Sequence, residues 1–256
     1  MTLHAETAGH GPQLLFIHGW GMHGGFWNAC AQDLRHNFTT TLLDLPGHGY
    51  SPYASKAFSL AALTSGAARL IRERTTLIGW SLGGMIALEL ARRFPHQVAR
   101  LILVGGTPRF RAAPDWSHAM SEDSFASFAK LVERDSRRAL QRFLALQAHG
   151  SLDPRGATRR LQTLLASRPT ARSPALRESL ALLRDTDLRP TLAHVGCPTL
   201  LIHGKRDAII PCQAAETCGR QLPDTRIRLF DGAGHAPFLT HHHEFVHAVR
   251  AFCHEH

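Results

Sequence analysis

The segment Gly79-Trp80-Ser81-Leu82-Gly83 places a serine between two glycines, with the spacing of a nucleophile that projects from a sharp turn. In this G-x-S-x-G pattern a strand ends before the serine and a helix begins after it. Small residues are needed at both ends of the motif because the turn brings backbone segments close together. The helix N-terminus also favours the negative charge that develops during attack on a carbonyl carbon. Ser81 is therefore the candidate nucleophile, whereas the same five residues in an isolated loop would carry no such meaning.

A serine hydroxyl needs a base that accepts its proton, and the base needs an acid that orients it. His235 is the candidate base, because it lies in the glycine-rich loop after the predicted strand 226–230. Asp207 is the candidate acid, since it follows the preceding predicted strand, 199–202, after a short loop. The chain has 18 histidines, so position rather than residue type selects His235. Asp231 is an alternative acid, but it follows the same strand as His235, which is typical of a surface turn.

The tetrahedral intermediate of ester hydrolysis needs hydrogen-bond donors directed at its oxyanion. The backbone N–H of Leu82, directly after the candidate nucleophile, is the first candidate donor. The second is the backbone N–H of Trp20, in the loop His18-Gly19-Trp20-Gly21 that follows a predicted early strand. The same loop sequence is also typical of a simple tight turn, an interpretation that is compatible with the oxyanion role.

These candidate residues lie at the ends of predicted strands. Short apolar runs predict buried strands at 14–17, 39–45, 75–78, 101–104, 199–202 and 226–230. Helical patterns separate most of them, but residues 109–189 contain helical segments and no convincing strand. This alternation predicts an α/β fold with a mostly parallel sheet flanked by helices. The core would comprise residues 1–108 and 190–256, and residues 109–189 would form a helical lid inserted between two strands.

The positive charge of the chain is concentrated in this predicted lid. Residues 109–189 contain 15 Lys and Arg against 9 Asp and Glu, and the whole chain has a net charge of +9. A surplus of positive charge favours acidic partners. Nucleic acid is not the expected partner, because no recognised nucleic-acid-binding motif accompanies the charge.

Composition favours a cytoplasmic protein. The first residues lack the basic start and apolar run of a signal peptide, and no segment approaches the roughly 18 apolar residues of a membrane span. The five cysteines form no C-x-x-C pair, which is typical of free thiols in a reducing compartment. His241-His242-His243 is a possible metal site, but adjacent histidines on a helix point in different directions. We therefore expect a monomer that needs no metal, redox cofactor or membrane.

Several segments of the chain resemble a known family. They are His18-Gly19-Trp20-Gly21, Asp44-Leu45-Pro46-Gly47, Gly79-Trp80-Ser81-Leu82-Gly83-Gly84, Arg142-Phe143-Leu144-Ala145-Leu146-Gln147 and His235-Ala236-Pro237-Phe238. The whole chain resembles the α/β-hydrolases and, within them, the pimeloyl-[acyl-carrier protein] methyl ester esterases of biotin synthesis. The segment 142–147 discriminates between families, because the other segments are shared widely among hydrolases.

The resemblance implies an α/β-hydrolase fold and hydrolysis of a methyl ester on a carrier-bound pimeloyl chain. It implies that the substrate chain is contacted by Trp20, Leu82, Phe143, Leu144, Ala145, Leu146, Gln147 and His235. It further implies that an acyl carrier protein and its phosphopantetheine arm are bound by Arg138, Arg142, Arg155 and Arg159. The spacing of these arginines agrees with a shared role, since residues four apart lie on one helix face. A solvated helix face is the alternative interpretation.

Two other functions remain compatible with the sequence. A general carboxylesterase for short free esters would share the catalytic residues and would have no carrier partner. A non-catalytic carrier-binding protein could keep a hydrolase fold, although a complete Ser, Asp and His set argues against it. Perhydrolases and hydrolases of carbon–carbon bonds use the same residues, and the sequence does not separate them from esterases.

Overall fold

A seven-stranded sheet forms the centre of the computed structural model, which describes residues 2–54 and 58–254. The strands are β1 (Ala5–Gly9), β2 (Gln13–Ile17), β3 (Thr39–Leu43), β4 (Thr75–Trp80), β5 (Val98–Val104), β6 (Thr199–Gly204) and β7 (Thr225–Phe230). Their order in the sheet is β1-β3-β2-β4-β5-β6-β7. The pairs from β3 to β7 are parallel, and β1 pairs with β3 antiparallel. The predicted mostly parallel sheet is therefore confirmed.

The sequence pattern did not predict β1. Its five residues, Ala-Glu-Thr-Ala-Gly, contain no apolar run, and four of them are exposed. The strand forms because its backbone pairs with β3, from Ala5 opposite Leu43 to Gly9 opposite Thr39. Pairing with a neighbour thus determines this strand where the local signal is weak.

Helices cover both faces of the sheet and fill the segment between β5 and β6. Those outside that segment are α1 (Asn28–Leu34), α2 (Leu60–Ala68), α3 (Leu82–Arg93), α8 (Gln213–Gly219), α9 (Pro237–Thr240) and α10 (His242–His254). Between β5 and β6 lie α4 (Glu122–Arg134), α5 (Ser136–Ala148), α6 (Pro154–Leu165) and α7 (Ser173–Asp185). Within the described residues, no helix has the length and apolar character needed to cross a membrane.

The strand and helix that position Ser81 are buried in the middle of the fold. All six residues of β4 are buried, because β2 and β5 flank the strand and helices cover its faces. The following helix, α3, buries ten of its twelve residues, from Leu82 to Ala91. The turn between β4 and α3 is consequently supported on both sides by packed core.

A buried ion pair attaches the α6–α7 connection to the core. Arg168 donates hydrogen bonds to both carboxylate oxygens of Asp44, at 3.2 and 3.1 Å, and to Glu6 Oε2 at 2.6 Å. The Arg168 side chain is 4% exposed and that of Asp44 is fully buried. The backbone N–H groups of Gly24 and Tyr50 also donate to Asp44. The connection is thereby fixed to the loop that follows β3.

Candidate active site

Ser81 occupies a strained turn between β4 and α3. Its φ and ψ are 54° and −113°, and no other non-glycine residue in the described chain has a positive φ. A Cβ placed on Gly79 would lie 2.4 Å from Gly83 O, and one on Gly83 would lie 2.2 Å from Ile17 O. These distances are too short for any side chain, so the turn requires glycine at both positions. Strain at the serine is what the G-x-S-x-G pattern predicts for a nucleophile.

Asp207 and His235 are in direct contact. Asp207 Oδ2 lies 2.7 Å from His235 Nδ1, and both side chains are fully buried. Asp207 Oδ1 accepts hydrogen bonds from the backbone N–H groups of Ile209 and Ile210, at 2.8 and 3.1 Å. Because an ionised carboxylate can only accept, the proton of the neutral imidazole lies on Nδ1. His235 Nε2 is then unprotonated and able to accept a proton from a substrate or a serine.

The carboxylate of Asp207 stays ionised despite its burial. Burial by itself would raise the pKa of Asp207, but the charge of His235 and hydrogen bonds from His203 and His235 outweigh it and hold the pKa below its ordinary value. His203 Nε2 lies 3.3 Å from Asp207 Oδ2 and 2.9 Å from Ile210 O. This role of His203 was not predicted from the sequence, in which the available signal was its position at the end of β6. A fixed negative charge here stabilises an imidazolium on His235.

Two hydrogen bonds from other segments hold the backbone of His235. The indole N–H of Trp80 donates to His235 O at 2.9 Å. The N–H of His235 donates to Gln147 O, in α5, at 3.1 Å. Since Trp80 directly precedes Ser81, the histidine loop is connected both to the serine turn and to the helices between β5 and β6.

Ser81 Oγ and His235 Nε2 are both buried, and neither forms a hydrogen bond within the described chain. The ring of Trp80, the residue before Ser81, lies 5.9 Å from the His235 ring, so the two residues belong to one site although these atoms share no direct hydrogen bond. Buried polar atoms without partners are rare and concentrate at functional sites. Catalytic hydrogen bonds are often long or poorly aligned without substrate and shorten when it binds.

The two candidate oxyanion donors are available. The backbone N–H groups of Trp20 and Leu82 donate to no other group among the described residues. The loop that carries Trp20 passes beside the nucleophile, because a Cβ placed on Gly19 would lie 3.4 Å from Ser81 Cβ. Leu82 is the first residue of α3, where N–H groups have no acceptor within the helix. Both N–H groups can therefore donate to an oxyanion held near Ser81.

His18 fixes the loop that carries Trp20. Its Nε2 accepts the N–H of Leu45 at 3.0 Å, so Nδ1 carries the proton and donates to Gly19 O at 2.8 Å. Burial and the neighbouring His48 lower the pKa of His18 to about 3, and burial lowers the pKa of His48 to about 4. Both rings are uncharged at neutral pH. The loop motif contains His18, but this positioning role was not predicted from the sequence.

The helix α5 contains the five predicted substrate contacts at 143–147, and they do not share one face. Phe143, Ala145 and Leu146 line a cavity of about 570 Å³ between α4 and α5. Leu144 and Gln147 do not line it, and both are buried. The carbonyl of Gln147 contacts the His235 loop, as described above. The structure therefore brings three of the five side chains together at the cavity.

Trp20 connects this cavity with the serine turn. The rings of Phe128 and Phe143, which line the cavity, pack edge-on against Trp20 with centroid distances of 5.2 and 5.1 Å. The indole N–H of Trp20 donates to Leu176 O in α7 at 2.9 Å. The side chain of Trp20 thus meets the cavity wall, while its backbone N–H is a candidate oxyanion donor.

The four predicted docking arginines lie on two helices that pack against each other. Arg138 and Arg142 are exposed on α5, and Arg155 and Arg159 are exposed on α6. None of their guanidinium groups has an ion pair or a hydrogen bond in the part of the chain that the structure describes. Arg142 also lines the cavity between α4 and α5. We call these four exposed residues the arginine patch, of which Arg142 is the member at the cavity.

The alternative sites considered from the sequence are located elsewhere. Asp231, the alternative acid, is exposed and pairs with Lys205 at 2.8 Å. In the triplet 241–243, His242 Nε2 pairs with Asp33 at 2.8 Å on the surface. No cluster of three or more His, Cys, Asp or Glu side chains with a metal-binding arrangement occurs in residues 2–54 and 58–254.

Comparison with known proteins agrees with this geometry. A family model described as the alpha/beta hydrolase fold matches residues 12–242. This chain belongs to the α/β-hydrolase family. The hydrolase is 39% identical to a pimeloyl-[acyl-carrier protein] methyl ester esterase from Nitrosomonas europaea, over 96% of this chain and 97% of that protein. An enzyme of the same name from Methylococcus capsulatus is 38% identical, over 98% of each chain.

Solved structures share the fold of this hydrolase at lower sequence identity. An esterase from Exiguobacterium antarcticum superposes with a TM-score of 0.89 at 24% identity, covering 98% of this hydrolase and 94% of that chain. A bromoperoxidase from Bacillus anthracis superposes with a TM-score of 0.91 at 21% identity, covering 99% and 95%. The predicted α/β-hydrolase fold is confirmed. At this level of identity the superpositions show the shared fold alone.

Proposed function

We propose that this hydrolase cleaves the methyl ester of pimeloyl-[acyl-carrier protein], giving methanol and the free acid on its carrier, in biotin synthesis. The observation that carries the proposal is the similarity over nearly the whole chain to enzymes of that name, at 39% and 38% identity. The chain is a carboxylic ester hydrolase. The geometry around Ser81 supports the proposal.

In the first half of the reaction, Ser81 Oγ attacks the ester carbonyl while His235 Nε2 takes the hydroxyl proton. The carboxylate of Asp207 stabilises the imidazolium through the 2.7 Å contact with Nδ1. The N–H groups of Trp20 and Leu82 donate to the oxyanion. His235 then transfers its proton to the methoxy oxygen, so that methanol leaves and the acyl chain remains on Ser81.

In the second half, a water molecule takes the place of methanol. His235 Nε2 removes a proton from the water as its oxygen attacks the acyl carbonyl, and the same two N–H groups stabilise the second oxyanion. When this intermediate collapses, His235 returns the proton to Ser81 Oγ. The free carboxylic acid leaves, and the serine is restored.

The carrier protein would bind at the arginine patch. Acyl carrier proteins are small and acidic, and the planar guanidinium group is well suited to carboxylates and phosphates. Because the four arginines have no partner within the described chain, they can pair with an incoming acidic protein at little cost. In this proposal residues 109–189 act as a lid, and the acyl chain enters beside Arg142.

The test compares kcat/KM for carrier-bound pimeloyl methyl ester and for a short free methyl ester. In the double variant Arg155→Glu/Arg159→Glu, which changes no residue that lines the cavity, we expect the value for the carrier-bound ester to fall at least about tenfold at low salt, with the free ester unchanged. The control is Arg72→Glu/Arg220→Glu, which makes the same charge change at exposed positions outside residues 109–189.

Two outcomes would contradict the proposal in different ways. A strong preference of the unmodified protein for the free ester would indicate a general carboxylesterase and would overturn the assigned substrate. Equal losses in the patch variant and the control variant would leave the substrate in place and overturn docking at the arginine patch. In both cases the hydrolase family is unaffected.

A further inference from the structure

Three aromatic rings connect the cavity with the loop that passes beside the candidate nucleophile. Trp20, Phe128 and Phe143 form a triangle, with centroid distances of 5.2, 5.1 and 5.4 Å. Phe128 and Phe143 face the cavity, and Trp20 belongs to the loop that passes beside Ser81. Ser81 Oγ is buried and the serine turn does not line the cavity, so a substrate chain that follows these rings from the cavity to Ser81 has to displace one of them.

Two of the rings are held in place. Trp20 is fully buried, and its indole N–H is bonded to Leu176 O. Phe143 is 2% exposed and lies on α5, which is bonded to the His235 loop through Gln147 O. Shortly after the end of α5, the N–H of Leu152 donates to Gly232 O in the loop after β7, at 3.0 Å. Moving either ring would disturb the candidate oxyanion donor or the candidate base.

Phe128 differs from the other two rings because its helix is weakly attached. It is half-buried on α4, where Phe125 and Val132 are the fully buried residues. No hydrogen bond joins the backbone of α4 to the sheet or to its loops in the described chain. The two ion pairs of α4, through Glu122 and Glu133, are largely exposed. Such exposed pairs contribute about 0–1 kcal/mol each.

The ends of α4 provide pivots. Directly before the helix, the N–H of Met120 donates to Phe110 O at 3.0 Å, and Met120 O accepts the N–H of Ala112 at 2.8 Å. Directly after it, Asp135 separates α4 from α5 and caps α5 through the N–H of Arg138. The helix can therefore roll about the line that joins these two points while α5, α6 and α7 keep their contacts with the core.

We propose that α4 is the gate of this active site, and that Phe128 swings out of the ring triangle to let the ester-bearing chain pass from the cavity to Ser81. The inference rests on the proposed function, since it takes Ser81 as the atom that the substrate must reach. Opening by α4 alone leaves Trp20 and the His235 loop in their catalytic positions. The remainder of the lid stays attached through Arg168 and the backbone bonds of α5.

The first test measures the second-order rate at which a long-chain fluorophosphonate labels Ser81. Phe128→Ala removes the mobile ring, and we expect labelling at least about fivefold faster than in the unmodified protein. Phe128→Trp places a larger ring at this position and is expected to slow labelling. The control is His149→Ala, which widens the same cavity at the end of α5, removes no ring of the triangle and changes none of the predicted substrate contacts. Its rate should change less than about twofold.

The second test uses the unmodified protein, so it does not depend on any variant folding. Native-state hydrogen exchange reports local opening, and we expect the amides of α4 to exchange at least about tenfold faster than those of α5 and α7. Protection of α4 equal to that of α5 would overturn the gate.

The labelling results separate the gate from the proposed function. Equal rates for the unmodified protein and both Phe128 variants would overturn the gate and leave Ser81 as nucleophile. An equal acceleration in His149→Ala would also overturn it, because cavity size rather than the ring would then control access. If neither the unmodified protein nor any variant were labelled, the proposed function would be overturned together with the gate.

Discussion

Replacing Asp207 by asparagine removes one negative charge from the site without removing a heavy atom. The amide oxygen can still accept the N–H groups of Ile209 and Ile210, which lie 2.8 and 3.1 Å from Oδ1. The amide NH₂ then takes the place of Oδ2, 2.7 Å from His235 Nδ1. Since an NH₂ group cannot accept a hydrogen bond, His235 has to carry its proton on Nε2. A ring protonated there cannot take the proton of Ser81.

The expected loss has two parts, the wrong tautomer and the missing charge opposite the imidazolium. By analogy with the same change in other serine hydrolases, kcat should fall about 10³–10⁴-fold, or about 4–5.5 kcal/mol of activation free energy. KM should change little, because Asp207 lies behind His235 and is buried away from the substrate side. The fold should persist, since the hydrogen bonds from Ile209 and Ile210 remain.

Methanol release from carrier-bound pimeloyl methyl ester measures this loss under saturating substrate. The control is Asp231→Asn, because this exposed aspartate also follows a core strand and pairs with a lysine on the surface. It should retain activity within about twofold of the unmodified protein. If Asp207→Asn kept more than about a tenth of kcat while remaining folded, the tautomer argument would be refuted. Asp207 would then have a structural role only.

The buried charges and histidines give two further predictions. Arg168→Met should lower the free energy of unfolding, measured by urea titration, by about 3–5 kcal/mol, because the buried carboxylate of Asp44 loses its cation. The control is Arg177→Met, which removes an exposed ion pair and should lower the same free energy by at most about 1 kcal/mol. Stability should also fall as the pH drops below about 6.5, since His18 and His48 have folded pKa values of about 3 and about 4 and the unfolded chain takes up protons first. At about pH 5 each histidine should lower the free energy of unfolding by about 2 kcal/mol relative to neutral pH. Unchanged stability at that pH would contradict the conclusion that both buried rings are neutral.

Much of the sheet could be predicted because its central strands are buried on both faces. Apolar runs such as those in β4 and β6 are the direct consequence of that burial. The strand β1 could not be predicted in this way, since it contains no apolar run and forms by pairing with the edge of β3 that β2 leaves free. Sequence patterns report burial, and an edge strand with four exposed residues produces no such pattern.

The candidate site was predictable to different degrees. The residues of the serine turn were recognisable because steric conditions allow glycine alone at Gly79 and Gly83. His203 was not, because its contact with Asp207 depends on how the loop after β6 folds back. The five residues at 143–147 were assigned to substrate as one block, whereas Leu144 and Gln147 lie outside the cavity. Successive helical residues point in different directions, so helix packing rather than sequence order selects those that line the cavity.

By itself the sequence determined the fold family, the tight serine turn and the order of the candidate catalytic residues, because these depend on local backbone geometry and on runs of apolar residues. The tertiary structure decided which distant groups meet. Arg168 pairs with Asp44 across 124 positions, and the rings of Trp20, Phe128 and Phe143 come together from three separate segments. Contacts between segments so far apart leave no periodic pattern in either one, so only the folded chain shows that these groups are neighbours.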